Sequence, residues 1–224
     1  MVSRRGCLAL AAVASAAVAA CGGPVYSYRY RLTVEVDTPG GPKSGSSVIE
    51  TTVQDDSKAW WGPIEGRLVR SRNKGEAVFV DLGQGRNVVA LMGRETAGVD
   101  GPILRSLVPT LLGIREVEGL RTVPERKGQS AVPYHLLPTF VTFSDPNEPK
   151  SVRIVRPDEF ETVFGPGVRF RRAWVEITSD SVTRQIQKQL PEVLRLLRED
   201  DKVMQIKRLG DPFRVNSGHL SQGF

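Results

Sequence analysis

The residue types best suited to metal binding and nucleophilic chemistry are rare in this chain. It has two histidines, His135 and His219, and two cysteines, Cys7 and Cys21. A structural or catalytic zinc ion needs three or four protein ligands, and two of these usually stand a few residues apart. Neither histidine has a second histidine or a cysteine at that spacing. We therefore expect no metal site, and no sequence feature predicts another cofactor.

Two short motifs match known chemistries only in part. Ser71 and Lys74 have the Ser-x-x-Lys spacing of penicillin-binding enzymes, but the companion Ser-Asp-Asn and Lys-Thr-Gly motifs are absent. Gly83-x-Gly85 follows a β-rich run, as in dinucleotide-binding proteins, but Val88 occupies the place of the third glycine. There is also no Gly-x-Ser-x-Gly nucleophile elbow. The sequence therefore predicts no catalytic residue.

The start of the chain has the three-part layout of an export signal. Arg4 and Arg5 form a short basic start, residues 7–20 form an apolar stretch, and small residues follow. The apolar stretch is shorter than the roughly 20 apolar residues that a spanning helix needs. We therefore predict that residues 1–20 are a cleaved signal peptide, with the cut between Ala20 and Cys21.

Val18-Ala19-Ala20-Cys21-Gly22 resembles the lipobox of bacterial lipoproteins, in which an aliphatic residue and two small residues precede an acylated cysteine. The resemblance implies that Cys21 carries lipid and that residues 21–25 tether the domain to a membrane. An ordinary secretory signal is the alternative, because endings similar to Ala-x-Ala are common. Ser3-Arg4-Arg5 also resembles a twin-arginine signal, so the general and the twin-arginine export routes both remain open.

The folded part resembles an uncharacterised group of small envelope lipoproteins from Gram-negative bacteria. The resemblance lies in residues 139–143 (TFVTF), 164–168 (FGPGV) and 28–36 (YRYRLTVEV). It implies an envelope address but no activity or ligand. In such lipoproteins an Asp after the lipidated cysteine tends to retain the protein in the inner membrane, and here that position is Gly22. The periplasmic face of the outer membrane is therefore the favoured location.

The charge balance argues against nucleic acid as a partner. The chain has 31 Lys and Arg residues against 25 Asp and Glu, a formal charge of +6, and loss of Arg4 and Arg5 with the signal leaves +4. The basic residues are interleaved with acidic ones instead of forming a patch. The expected partners are the membrane, through the lipid on Cys21, and an envelope protein or polymer. Cleavage would remove Cys7 and acylation would block Cys21, so no disulfide is expected.

Strand patterns dominate the mature sequence. Residues 26–37 alternate between apolar and polar side chains, which indicates a half-buried strand. Residues 48–53 read as its hairpin partner, and residues 76–82 and 86–92 form a second predicted hairpin across Gly83-Gln84-Gly85. Further strands are predicted at residues 137–143, 152–155, 168–177 and 202–207. In residues 168–177 the apolar face changes from even to odd positions, which predicts a β-bulge or a strand covered on both sides.

Helical spacing of apolar residues appears at 102–114 and 182–199, where Pro109 and Pro191 predict kinks or breaks. A short helix is predicted after Pro157, and residues 119–133 are predicted to be loop. We thus expect residues 26–224 to form a single α+β periplasmic domain. Its antiparallel β-hairpins would form a sheet or sandwich with two to three packed helices, followed by a poorly ordered C-terminal tail from Pro212.

The function expected from these features is a noncatalytic binding or structural role in the cell envelope. The alternative is an envelope hydrolase that uses His135 near Trp60-Trp61. An enzyme of that kind would bring His135, an acidic side chain and a concave pocket together.

Overall fold

The structure is a computed structural model that describes residues 23–58, 69–93, 104–199, 204–206, 213–215 and 220–222. Several residues discussed above lie outside these ranges: the predicted signal peptide 1–20, Cys21, Trp60, Trp61 and His219.

The described residues form strands in three antiparallel sheets, together with four short α-helices. The strands are β1 (Val25–Asp37), β2 (Lys43–Asp55), β3 (Val69–Glu76), β4 (Val78–Gly83), β5 (Arg86–Ala90), β6 (Gln129–Ala131), β7 (Phe140–Phe143), β8 (Val152–Val155), β9 (Arg169–Ile177), β10 (Met204–Ile206), β11 (Phe213–Val215) and β12 (Ser221–Gln222). The helices are α1 (Leu104–Leu111), α2 (Phe160–Phe164), α3 (Ile186–Gln189) and α4 (Pro191–Glu199). The strand orders are β12-β3-β2-β1-β9-β6, β4-β5-β7-β8 and β10-β11. The predicted α+β class is confirmed, with more sheet than helix.

The alternating pattern of β1 gives the six-stranded sheet one buried and one polar face. Tyr30, Leu32 and Val34 are buried on the inner face, as the period of two predicts. β2 pairs with β1 in continuous register from Val25 with Gln54 to Val36 with Lys43, so this predicted hairpin is confirmed.

The second predicted hairpin, β4–β5, is also confirmed. It turns through Gln84 and Gly85, whose φ angles of 58° and 76° are both positive, as a two-residue type I′ turn requires. The turn explains Gly85, and Gly83 has a positive φ of 84° at the point where the register of the hairpin shifts, so neither glycine needs a nucleotide.

The change of apolar phase in β9 corresponds to a β-bulge. Glu35 of β1 faces Arg172, but the next residue, Val36, faces Phe170, so Arg171 is the extra residue. An extra residue on one strand reverses which face its side chains occupy, and this is the shift that the sequence shows.

The four-stranded sheet is buried on both faces. Val88 and Ala90 of β5 join an apolar cluster that also contains Leu32 and Val34 of β1. Their neighbour Val89 points to a second cluster, which contains residues of α3 and α4 and Leu220. A strand covered on both sides needs apolar side chains at consecutive positions, which accounts for the unbroken run from Val88 to Met92.

The two prolines in the predicted helices act differently. Pro191 separates α3 from α4, as predicted. Pro109 lies inside the continuous helix α1, so of the two expected outcomes, a kink or a division into two pieces, the division is wrong. The helix is short, and backbone bonds on either side of the proline persist, from Leu112 N to Val108 O (3.0 Å) and from Ile114 N to Pro109 O (2.8 Å).

The sequence patterns did not predict β3 and β6, and two further segments also hold structure that was not predicted. Val117–Glu125, which overlaps the predicted loop 119–133, is a 3₁₀-helix that buries Leu120 and Val123. The C-terminal tail, expected to be poorly ordered, contains β11 and β12 among its described residues, and Leu220 is fully buried.

Candidate functional site

The chain enters the six-stranded sheet at Val25, and we call this end of the sheet the entry end. Pro24 O accepts a hydrogen bond from Asp55 N at 2.9 Å. A Cβ added to Gly23 would lie 1.6 Å from Asp55 O, so only glycine fits against this backbone. Residues 23–25, predicted as part of a tether, are therefore held against β2, and only Gly22 separates Cys21 from them.

A step in the sheet lies at the entry end, because β1 extends further than its neighbour β9. The last pair between the two strands joins Tyr30 with Ile177, so β1 continues for five residues beyond it, back to Val25. The opposite end of the sheet carries the turn between β1 and β2, and we call it the turn end.

A groove of about 360 Å³ occupies this step. Its lining is mixed: the described residues around it are Ser27, Tyr28, Arg29, Glu50, Pro124, Lys127, Ile177, Thr178 and Ser179. Two cationic side chains and one carboxylate therefore face the same space, which gives the groove a net positive charge.

Arg29 is fixed in the wall of the groove by several partners. Its Nε donates to Glu50 Oε2 at 2.6 Å, and its Nη1 makes long contacts of 3.4 Å with the backbone oxygens of Ser179 and Asp180. Because Arg29 and Glu50 face each other directly on β1 and β2, the strand register brings this pair together.

Residues 178–185, the crossing segment, run from β9 over the polar face of β1 and β2. Arg31 forms an ion pair with Asp180 of this segment. Val48 N donates to Thr183 Oγ1 at 2.8 Å, and Thr183 N donates to Val48 O at 3.2 Å. The segment ends at Glu76, whose buried carboxylate accepts from Gln185 N at 2.7 Å.

Lys127 is the exposed cation of the groove. It is exposed and lines the groove, and no ion pair joins it to another residue within the described part of the chain. Arg126 beside it is also exposed. Arg126 and Lys127 come just before Gln129, the residue of β6 that pairs with Glu176. They therefore lie on the side of β6 that is closer to the entry end.

Two of the exposed large hydrophobic side chains also lie at the entry end. Val25 is 60% exposed and Val69 is 44% exposed. They begin β1 and β3, on either side of the last residues of β2, Gln54 and Asp55. The entry end therefore combines apolar side chains with the cations of the groove.

A row of buried polar side chains crosses the inner face of the sheet near this end. Tyr28 faces Thr51, and Thr51 faces Asn73. Thr51 Oγ1 donates to Asn73 Oδ1 at 2.9 Å, but Tyr28 Oη and Asn73 Nδ2 have no hydrogen-bond partner among the described residues. Burial raises the pKa of the Tyr28 phenol to about 12, and the nearby Thr51 hydroxyl offsets this only in part.

The residues of the alternative hydrolase hypothesis and of the Ser-x-x-Lys match do not form a catalytic arrangement within the described part of the chain. His135 is exposed in the 3₁₀-helix Tyr134–Leu136 and makes no hydrogen bond or ion pair with a described residue. Ser71 and Lys74 lie three residues apart on β3, so they point to opposite faces and cannot act on one another. The pairing of His135 with Trp60 and Trp61 lies outside the described residues.

The described residues contain no group of three or more His, Cys, Asp or Glu side chains that could hold a metal ion. Among the same residues, no helix has the length and apolar composition needed to cross a membrane. Comparisons with protein families, curated proteins and solved structures found no match to this chain.

Sequence patterns alone did not indicate the groove. Arg29 belongs to the predicted polar face of β1, but Lys127 falls in a stretch predicted as loop. The spacing of Leu120 and Val123, three residues apart, is the signal that could have predicted the 3₁₀-helix leading to Lys127.

Proposed function

We propose that the chain is a membrane-anchored lipoprotein of the bacterial envelope with a noncatalytic binding role. Residues 1–20 are removed, Cys21 is acylated, and the domain binds another envelope component. The groove with Arg29 and Lys127 is the candidate binding site. The observation that carries the proposal is the position of Cys21, which stands directly after the predicted signal peptide and two residues before the first packed residue, Gly23.

The short connection supports a role at the membrane surface. One residue, Gly22, spans only about 3.5 Å. A domain tethered so closely stays next to the bilayer that holds its lipid, so its partner must lie within reach of the same membrane. The groove is at the end of the sheet nearest to this connection.

Fatty-acid labelling in living cells tests the proposal, and the chain supplies its own control because it has two cysteines. We expect radiolabelled palmitate to enter the wild type and Cys7→Ser, since Cys7 is discarded with the signal. Cys21→Ser should lose the label. Equal labelling of Cys21→Ser and the wild type would refute the lipoprotein assignment.

We further propose that the domain resides on the periplasmic face of the outer membrane. The absence of Asp at position 22 supports this placement through the resemblance to other lipoproteins. On a density gradient the wild type should migrate with outer membranes, and Gly22→Asp should shift toward inner membranes. Recovery of the wild type with inner membranes would disprove the placement while leaving the lipid anchor intact.

For the architecture, we propose that the two larger sheets form a β-sandwich. Two observations support it: residues of both sheets share one apolar cluster, and a Cβ on Gly45 of β2 would lie 2.0 Å from Phe79 O of β4. Facing sheets lie about 10 Å apart, so the contact at Gly45 fits a corner of the sandwich at which the backbones of β2 and β4 come together, and glycine permits this approach.

A further inference from the structure

We infer that the domain stands on the membrane on its entry end, with the phosphates of anionic lipid headgroups bound in the groove beside Lys127. The inference rests on the proposed lipidation of Cys21. It adds the ligand of the groove and the orientation of the sheet, with its strands directed away from the bilayer.

The length of chain outside the folded domain limits which surface can face the membrane. Gly23 and Pro24 are packed against Asp55, so the lipid attachment point lies within about 7 Å of the entry end. The turn end is much further away. From Val25 to Val36, β1 extends for about 36 Å, given about 3.3 Å per residue.

The chemistry of the entry end fits a bilayer surface with anionic headgroups. Val25 and Val69 offer apolar side chains for the interfacial layer. The ammonium of Lys127 is free of described ion pairs and can reach a phosphate at the mouth of the groove. Arg29 is already paired with Glu50, which holds its guanidinium in the wall. A basic residue close to an anionic membrane is attracted by the negative surface potential of the lipids.

The step in the sheet gives the headgroups a place to enter. Because β9 ends at Ile177 while β1 continues to Val25, the groove lies beside the part of β1 that extends toward the lipid. Arg126 adds a second exposed cation next to Lys127. An anionic surface is therefore complementary in charge to the exposed cations Arg126 and Lys127.

Fluorescence quenching in vesicles tests the orientation. The full chain, processed and lipidated in the bacterium, is reconstituted into vesicles of equal parts phosphatidylglycerol and phosphatidylcholine that carry a nitroxide on some headgroups. Since Cys21 is acylated, a cysteine introduced at Ser27 or Ser44 is the only free thiol for a fluorophore. These two serines are both exposed on the polar face, and eight residues of β1 separate their rows.

We expect the nitroxide lipids to remove most of the fluorescence from Ser27→Cys and almost none from Ser44→Cys. Equal quenching at the two positions would mean that the sheet lies flat, and stronger quenching at Ser44 would invert the orientation. Either result overturns the inference. Failure of the proposed function is distinguishable, because a chain without lipid would not float with the vesicles.

Charge reversal tests the groove itself. Lys127→Glu should lower the quenching at Ser27→Cys in the anionic vesicles and leave it unchanged in vesicles of phosphatidylcholine alone. Lys43→Glu is the matched control, because Lys43 is exposed at the turn end and also has no described ion pair. Equal effects of the two substitutions would show that headgroups do not bind beside Lys127.

Discussion

The two ends of the six-stranded sheet are built from different chemistry. At the turn end the interior is aromatic. The ring centroid of Phe160 lies 5.8 Å from that of Phe140, 5.5 Å from that of Phe164 and 6.1 Å from that of Phe170. At the entry end the inner face carries the polar row of Tyr28, Thr51 and Asn73.

This difference indicates that the two ends of the sheet contribute unequally to the stability of the fold. Edge-to-face aromatic packing adds about 0.5–1.5 kcal/mol per pair to the gain from burial. A buried polar group without a hydrogen bond instead costs about 1–3 kcal/mol. The turn end therefore contributes more to stability than the entry end, which holds the groove and the approach to Cys21.

The largest effect should follow from removing an aromatic ring at the turn end. Phe160 is fully buried, and Phe160→Ala leaves a cavity among three other rings. We expect a loss of about 3–5 kcal/mol in the free energy of unfolding, measured by urea denaturation. Tyr134→Ala is the control, since Tyr134 is 64% exposed and its loss should change stability by less than about 0.5 kcal/mol. Similar losses for both variants would contradict the comparison.

A smaller effect is expected at Gly45, where β2 of one sheet lies against β4 of the other. The Cβ of Gly45→Ala would lie 2.0 Å from Phe79 O, and backbone at that distance must move. Overpacking of this kind costs about 1–3 kcal/mol in the free energy of unfolding. At exposed Gly40 the nearest atom to an added Cβ is 3.9 Å away, so Gly40→Ala should be neutral or slightly stabilising. If Gly45→Ala proved equally neutral, the sheets would be further apart than described.

The same contrast explains how much of the structure could be predicted from the sequence. The pattern of apolar and polar residues was sufficient to predict β1, whose alternation is unbroken. It was also sufficient for the bulge at Arg171, because the apolar residues of β9 change from even to odd positions there. It failed for β12, because two residues carry no periodicity and Leu220 is buried only through tertiary packing.

The candidate site was less predictable than the fold. Arg29 and Lys127 are 98 positions apart in the sequence, and they line one groove because β1 extends further than β9. The lengths of neighbouring strands are set by how they pair in the sheet. The pattern of a single sequence does not show where one strand ends relative to the next. The proposed anchor residue, Cys21, is the opposite case, since the sequence motif that predicts it is entirely local.

The smallest effect at neutral pH should come from the polar row at the entry end, where Tyr28→Phe removes a hydroxyl without a described partner. We expect the variant to be as stable as the wild type or up to about 1 kcal/mol more stable in urea denaturation.

At alkaline pH the stabilities of the wild type and Tyr28→Phe should differ more. Burial raises the pKa of Tyr28 to about 12, from 10.0 for an unperturbed tyrosine, so between these values the unfolded phenol ionises while the folded one stays neutral. The wild type therefore loses stability as the pH rises from 10 toward 12, and Tyr28→Phe should lose less over that range. Tyr30→Phe should also lose less, because burial raises the pKa of Tyr30 well above its usual value. Parallel pH curves for the wild type and Tyr28→Phe would show that water reaches the Tyr28 hydroxyl, and the entry end would then be more open than its burial indicates.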